Sequence, residues 1–268
     1  MKYILSVLSL CYLTTGLLQA DIIMGVVPQQ SPLKLLKVWK PVADHLSKKT
    51  GEKITFKTEK SIEKFAQALY RGAYDFAYVN PQQYIIAHQK QGYLAKIRAE
   101  KNIRGILVMK YGTDIKKLKD KNVRYLFPSP TAFAATLLTK YDLIQKYNVS
   151  IETLNNAYYV NSHDSVYKGI SRGVGDVGGG IERTFHNISD SKLKNDIHIV
   201  HVTPAYPSHP FVFKADMNER HKEAISDALL NIPKSLLNTL SIKKLKKINH
   251  SEYDSVQALM LKLQITSK

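Results

Sequence analysis

Asn122–Leu138 reads NVRYLFPSPTAFAATLL, and this stretch decides how the chain is understood. A short apolar run, Val123 to Phe127, predicts a strand. Pro128-Ser129-Pro130 then turns the chain into a segment rich in Ala and Leu, which predicts a helix. Ser129 is placed as an N-cap, because its hydroxyl can accept a backbone N–H of the first turn. Pro130 follows at the first helical position, where its missing N–H costs nothing. The N–H groups of Thr131, Ala132 and Phe133 are then expected to lack intrahelical partners. Such groups at the positive end of a helix dipole make an anion site.

Outward from this stretch, strands alternate with helices. Strands are predicted at 21–27, 53–58, 74–79, 94–99, 103–110, 157–160, 176–178, 197–202 and 211–213. Helices are predicted from Ser31, Ser61, Asn80, Ser162 and Ile181, and 218–263 reads as helical, broken at Pro233 and near Asn249. The alternation implies an α/β fold with a mostly parallel sheet and a ligand at the carboxyl ends of the strands. Ser31-Pro32, Asn80-Pro81 and Ser129-Pro130 repeat one design after a strand, and Asn161-Ser162 is a fourth case without the proline. Several helix starts are therefore expected to point into one cleft. A crossing between two halves is expected after GILVMKYG (105–112), where charge density rises.

The first twenty residues combine Met1-Lys2, an apolar run and Leu18-Gln19-Ala20, the pattern of a secretory signal peptide cut after Ala20. The one cysteine, Cys11, lies in that segment, so the remaining chain of about 248 residues has no disulfide framework, thiolate nucleophile or Cys-based metal site. One of the 39 basic residues, Lys2, also lies there, so 38 face 22 acidic residues and the net charge is +16. That balance favours anionic partners. The lysines are dispersed, the densest cluster being Lys243, Lys244, Lys246 and Lys247. No nucleic-acid motif accompanies them, so a solvated basic face is expected and nucleic acid is not. No later apolar run is long enough to span a membrane, and a soluble monomer is expected.

Enzyme motifs fail on context. Gly169–Gly173 matches G-x-S-x-G around Ser171, but a helix precedes and a strand follows, the reverse of a nucleophile elbow. Gly173–Gly178 matches G-x-G-x-x-G without the strand that must precede it. Ser162-His163-Asp164 holds triad residue types, yet neighbours on a helix start diverge. His163 there can donate to an anion or simply be exposed, and the sequence leaves both open. His198 and His201 point to opposite faces of a strand, and His186 and His209 are isolated. No metal or cofactor is expected. Tyr78 and Tyr84, at and just after a strand end, are placed to reach into a cleft.

GVVPQQSPLKLLKVWKPVADHLSKKTG (25–51), YRGAYDFAYVNPQQYIIAHQ (70–89) and VNSHDSVYKGISRGVGDVGGGIERTF (160–185) together resemble the PhnD-like family, periplasmic binding proteins for phosphonate, phosphite or phosphate that serve ABC transporters. The resemblance runs over nearly the whole chain after residue 20. It implies a two-lobed type II periplasmic-binding fold with a hinge. We place the lobes at 21–108 plus 205–268 and at 109–204. The family's second lobe binds the oxyanion with a turn resembling S-T-S-G. Here Ser129 and Thr131 keep their hydroxyls, whereas Ala132-Phe133 replaces Ser-Gly. The family's S-H-D helix start matches Ser162, His163 and Asp164, and its aromatic and turn after the third strand match Tyr78, Asn80 and Tyr84. Gln29 is expected to close over the ligand from the first lobe. Arg183 is a candidate bidentate contact or a surface arginine early in a helix. The implied partners are a small anionic ligand and an ABC permease. A sensing subunit that presents its bound form to a membrane receptor or histidine kinase is the alternative.

Overall fold

The computed structural model describes residues 21–120, 122–149 and 156–264, and the leader expected at 1–20 lies outside them. The first part of the chain runs β1 (Ile22–Val26), α1 (Pro32–Thr50), β2 (Ile54–Lys57), α2 (Ile62–Tyr70), β3 (Phe76–Tyr78), α3 (Pro81–Gln91) and β4 (Leu94–Ala99). The second part runs β5 (Gly105–Lys110), β6 (Tyr125–Phe127), a wide helical turn Phe133–Leu138 continuing into α4 (Thr139–Tyr147), β7 (Ala157–Tyr159), α5 (His163–Ser171), β8 (Val177–Ile181), α6 (Glu182–His186), a helix Ser191–Asp196 and β9 (Ile197–Val202). The chain then returns as β10 (Pro210–Phe213), and β11 (Leu245–Lys247) lies among the C-terminal helices.

Two sheets result, ordered β11-β4-β10-β3-β1-β2 and β7-β6-β8-β5-β9. They are mixed, not mostly parallel as the alternation suggested. β1 pairs parallel with β2 and β3, and β6 with β7 and β8. β10 and β5, the first strands after each change of sheet, pair antiparallel with both neighbours. A strand entering from the other lobe runs back against the strands already there, which pattern counting cannot see.

The changes of sheet fall between Ala99 and Gly105 and between Val202 and Pro210. β5 thus belongs wholly to the second sheet, and the first crossing precedes GILVMKYG instead of following it. The strand pattern explains why: Ile106 and Val108 pack on one face of the second sheet with Leu126, Val166 and Ile170, while Leu107 and Met109 pack on the other with Tyr125, Phe127 and Val177. A strand buried on both faces reads as a continuous apolar run. The largest apolar cluster joins the lobes, since Ala132–Ala135 and Ile181 pack with Val27 and Ile62.

Two other expectations change. Gly179 and Gly180 belong to β8, facing Leu107 and Ile106 of β5, so the strand runs on to Ile181 and the expected helix begins at Glu182. A Cβ at Gly179 would lie 2.0 Å from the carbonyl oxygen of Ala135, and one at Gly105 would lie 2.2 Å from that of Ala134. The glycines let the helical turn 133–138 sit directly on the sheet. Leu245–Lys247, read as helix, is an edge strand on β4; lysines suit an edge that must not recruit another strand.

Candidate binding site between the lobes

The site begins at the turn after β6. Ser129 Oγ accepts the Thr131 N–H at 3.1 Å, and Ser129 O accepts the Ala132 N–H at 3.3 Å. These bonds close a tight turn, so the helix starts at Phe133 and not at Pro130. Ala132 O then accepts both the Thr136 N–H (2.9 Å) and the Leu137 N–H (3.2 Å), and the second of these is a five-residue step. Such wide turns recur at functional sites. The Thr131 and Ala132 N–H groups expected to hold an anion are therefore engaged. The groups ahead of the first intrahelical bond are those of Phe133, Ala134 and Ala135.

These residues wall a cavity of about 10 Å³, about the space of one water. Ala132, His163 and Ile181 complete the second-lobe wall, Val27, Gln29, Ile62 and Asn80 form the first-lobe wall, and His209 enters from the second crossing. No charged side chain lines the cavity among the described residues.

His163 and His209 are each 1 % exposed, and the Nδ1 atom of each has no hydrogen-bond partner. Gln29 Nε2 meets His209 Nε2 at 2.8 Å. An amide nitrogen can only donate, so this ring nitrogen accepts and the neutral His209 carries its proton on the unpartnered Nδ1. Burial brings the pKa of His163 down to about 4; Asp164 pulls the other way and Arg183 adds to the lowering. Burial also lowers His209 well below its ordinary value, reinforced by Arg183 and His163. Both rings are neutral at pH 7. The wall thus brings two neutral, incompletely bonded histidines together with a helix start, and no carboxylate among the residues that line it.

The structure brings together part of the expected set. Asn80 caps α3, accepting the Gln83 N–H at 2.8 Å, and its Nδ2 donates across the cleft to Thr131 O at 3.2 Å. Gln29 O accepts the His163 N–H at 3.3 Å, a second bridge between lobes. Asp164 pairs with Lys34 at 2.9 Å across the cleft mouth and does not line the cavity. Ser162 caps α5 through the Ser165 N–H at 3.1 Å, also off the wall. Ser129 and Thr131 stand behind the wall, with their hydroxyl oxygens 3.2 Å apart. Tyr78 and Arg183 face an adjoining cleft of about 50 Å³ with Trp39, and Arg183 Nη2 lies 3.4 Å from Tyr78 OH. Tyr84 is not at the site: it is buried against Tyr253, its OH 2.7 Å from His250 Nδ1. Its partners come from the C-terminal segment, which nothing local to Tyr84 announces.

His209, read as isolated, was missed. The available signal was its place in the Pro-rich return 203–210, because a crossing segment runs along the cleft. Ser171 donates to Asp196 Oδ2 at 2.7 Å and among the described residues has no histidine partner, which removes the elbow reading.

A family model for the ABC transporter, phosphonate, periplasmic substrate-binding protein matches residues 24–253. The chain belongs to this family. The phosphonate-binding family serves ABC transporters by capturing solute in the periplasm; it is not an enzyme family. Among solved structures, PhnD1 from Prochlorococcus marinus (MIT 9301) in complex with methylphosphonate is similar at 19% identity and a TM-score of 0.84, over 92% of this chain and 99% of that one. A binding protein component of an ABC phosphonate transporter from Pseudomonas aeruginosa matches at 16% identity and a TM-score of 0.84, over 92% and 87%. A Xanthomonas citri protein bound to chloride matches at 14% identity and a TM-score of 0.71, over 91% and 97%. At these identities the likeness supports the two-lobed fold of the phosphonate-binding family. No helix among the described residues is long and apolar enough to cross a membrane.

Proposed function

We propose that this chain captures a small phosphorus oxyanion, namely a phosphonate, phosphite or phosphate, between its lobes and delivers it to an ABC permease after export through the Met1–Ala20 leader. The observation that carries this reading is the meeting of the Phe133–Ala135 helix start with two buried histidines whose Nδ1 atoms lack partners. The helix start supplies N–H donors and the positive dipole end, and His209 Nδ1–H adds a donor in a site shielded from water. His163 and Asn80 flank it. The lobes meet at 21–104 and 204–268 on one side and 105–203 on the other, and the crossings act as the hinge. A cavity of about 10 Å³ admits nothing larger than a water, so entry requires the lobes to part.

A thermal-shift screen of residues 21–268 against methylphosphonate, phosphite, phosphate, sulfate and acetate tests the reading. An oxyanion at about a hundredfold excess over Kd should stabilise the protein by about 2.7 kcal/mol, or roughly 5–10 °C in Tm for a chain of this size. His163→Ala and His209→Ala should each reduce that shift. A screen in which no phosphorus oxyanion moves Tm would remove the assignment.

A further inference from the structure

The Ser129 hydroxyl of the Ser129-Pro130-Thr131 turn already faces a carboxylate. Ser129 Oγ donates to Glu63 Oε1 and also accepts the Thr131 N–H, with Thr131 Oγ1 3.2 Å away. Ser129 is 1 % exposed and Glu63 is half-buried, so the bond between them is partly shielded from water. Glu63 stands in the first turn of α2, in the opposite lobe, next to the cavity residue Ile62. Its helix is capped independently by Ser61, which accepts the Lys64 N–H. Among the described residues no lysine, arginine or histidine forms an ion pair with Glu63. A carboxylate accepting a hydroxyl proton makes the same charge-assisted bond that an oxyanion would make there.

We propose that Glu63 is a built-in anion that latches the cleft and sets its selectivity. Its carboxylate takes the hydroxyl face of the turn and ties α2 to the second lobe. An incoming oxyanion is thereby confined to the histidine and helix-start side of the cavity. With a fixed negative charge beside the wall, and Arg183 on the adjoining cleft rather than on the wall itself, a monoanion is favoured over a dianion. Asp164, the next acidic group at the cleft, is neutralised by Lys34 and does not take this role.

The test uses Glu63→Gln, which keeps the shape and removes the charge, and Ser129→Ala, which removes the same bond from the other side. Lys37→Cys in α1 and Lys168→Cys in α5 place spin labels on exposed positions of the two lobes, in a chain otherwise free of cysteine after residue 20. In buffer without anions the parent should show a short interlobe distance, and both variants a longer or broader one. Titration with inorganic phosphate should show tighter binding to Glu63→Gln than to the parent, by about tenfold at about pH 8, where phosphate is mostly dianion, and by less at about pH 6. Distances that match the parent in both variants would overturn the latch. Weaker phosphate binding in Glu63→Gln would make the carboxylate a ligand partner and overturn the selectivity role. The affinity arm rests on the oxyanion reading above, whereas the distance arm needs no ligand, so the two can fail separately.

Discussion

Asn80-Pro81 and Ser129-Pro130 look alike in sequence and behave differently. Each follows a strand of three buried residues, and each places a polar cap before a proline. At Asn80 the cap is reciprocal: Asn80 Oδ1 accepts the Gln83 N–H, and Gln83 Oε1 accepts the Asn80 N–H at 3.1 Å. The α-helix therefore starts at once. At Ser129 the residue three places on is Ala132, which has nothing to return. Ser129 closes a tight turn instead, and the helix enters late and wide. The third helical position decides between a helix that starts at once and a turn after which the helix enters late, beside the cavity. The first lobe presents a capped helix start to the cleft, and the second presents an uncapped one.

The largest effect should come from the contact that holds the late helix against its sheet. Gly179→Ala puts a Cβ 2.0 Å from Ala135 O and 2.4 Å from the Phe127 ring. Backbone and a packed ring cannot give way as a flexible side chain can. The expected loss is about 3 kcal/mol or more, a fall in Tm of roughly 6–12 °C. Calorimetry of residues 21–268 measures it, and a Tm within about 1 °C of the parent would mean that the helix does not lie on this strand.

That contact also marks where the sequence stopped being legible. The order of strands and helices was readable, because apolar periodicity is local. The direction of pairing was not: β5 and β10 owe their antiparallel neighbours to the crossings, and Leu245–Lys247 has too little apolar character to signal a strand. Gly179 read as punctuation before a helix, although its purpose is to admit a carbonyl from an element some forty residues earlier in the chain. At the site, Asn80, His163 and Gln29 were found because they sit at strand ends and helix starts. His209 escaped because a Pro-rich return has no periodicity, and Glu63 because an acid in a first helical turn is ordinary dipole complement. Tyr84 was misplaced because its partners, Tyr253 and His250, lie far along the chain.

Acid should act where the two helix starts converge. Folded His163 titrates at about 4, whereas an unfolded histidine titrates at about 6.5. Between these values the unfolded chain binds a proton that the folded chain does not, so stability falls as pH drops through this window and is fully present above it. His163 alone should cost on the order of 3 kcal/mol by about pH 4, and His209 acts in the same direction. Urea midpoints at pH 7 and pH 4.5 measure the loss. His163→Gln with His209→Gln should shrink the difference, leaving the part that His45 and His250, lowered by burial, contribute in the same direction; carboxylates such as Asp176 and Glu252, whose pKa values are lowered, respond mainly at lower pH. An equal acid response in the parent and the double variant would show that the two rings are not held neutral between the lobes.

The smallest effects separate the caps themselves. Ser31 precedes Pro32 just as Asn80 precedes Pro81, yet its side chain makes no capping bond. Asn80→Ala loses the Gln83 N–H partner and the bridge to Thr131 O, both in buried or half-buried surroundings. It should cost about 1–2 kcal/mol. Ser31→Ala should change stability by less than about 0.5 kcal/mol, as an exposed residue without a bond to lose. Both are read from the urea midpoint at constant slope. Equal losses would mean that polar-Pro after a strand acts through backbone preference alone, and the reciprocal bond to Gln83 would no longer explain why the first lobe starts its helix at once.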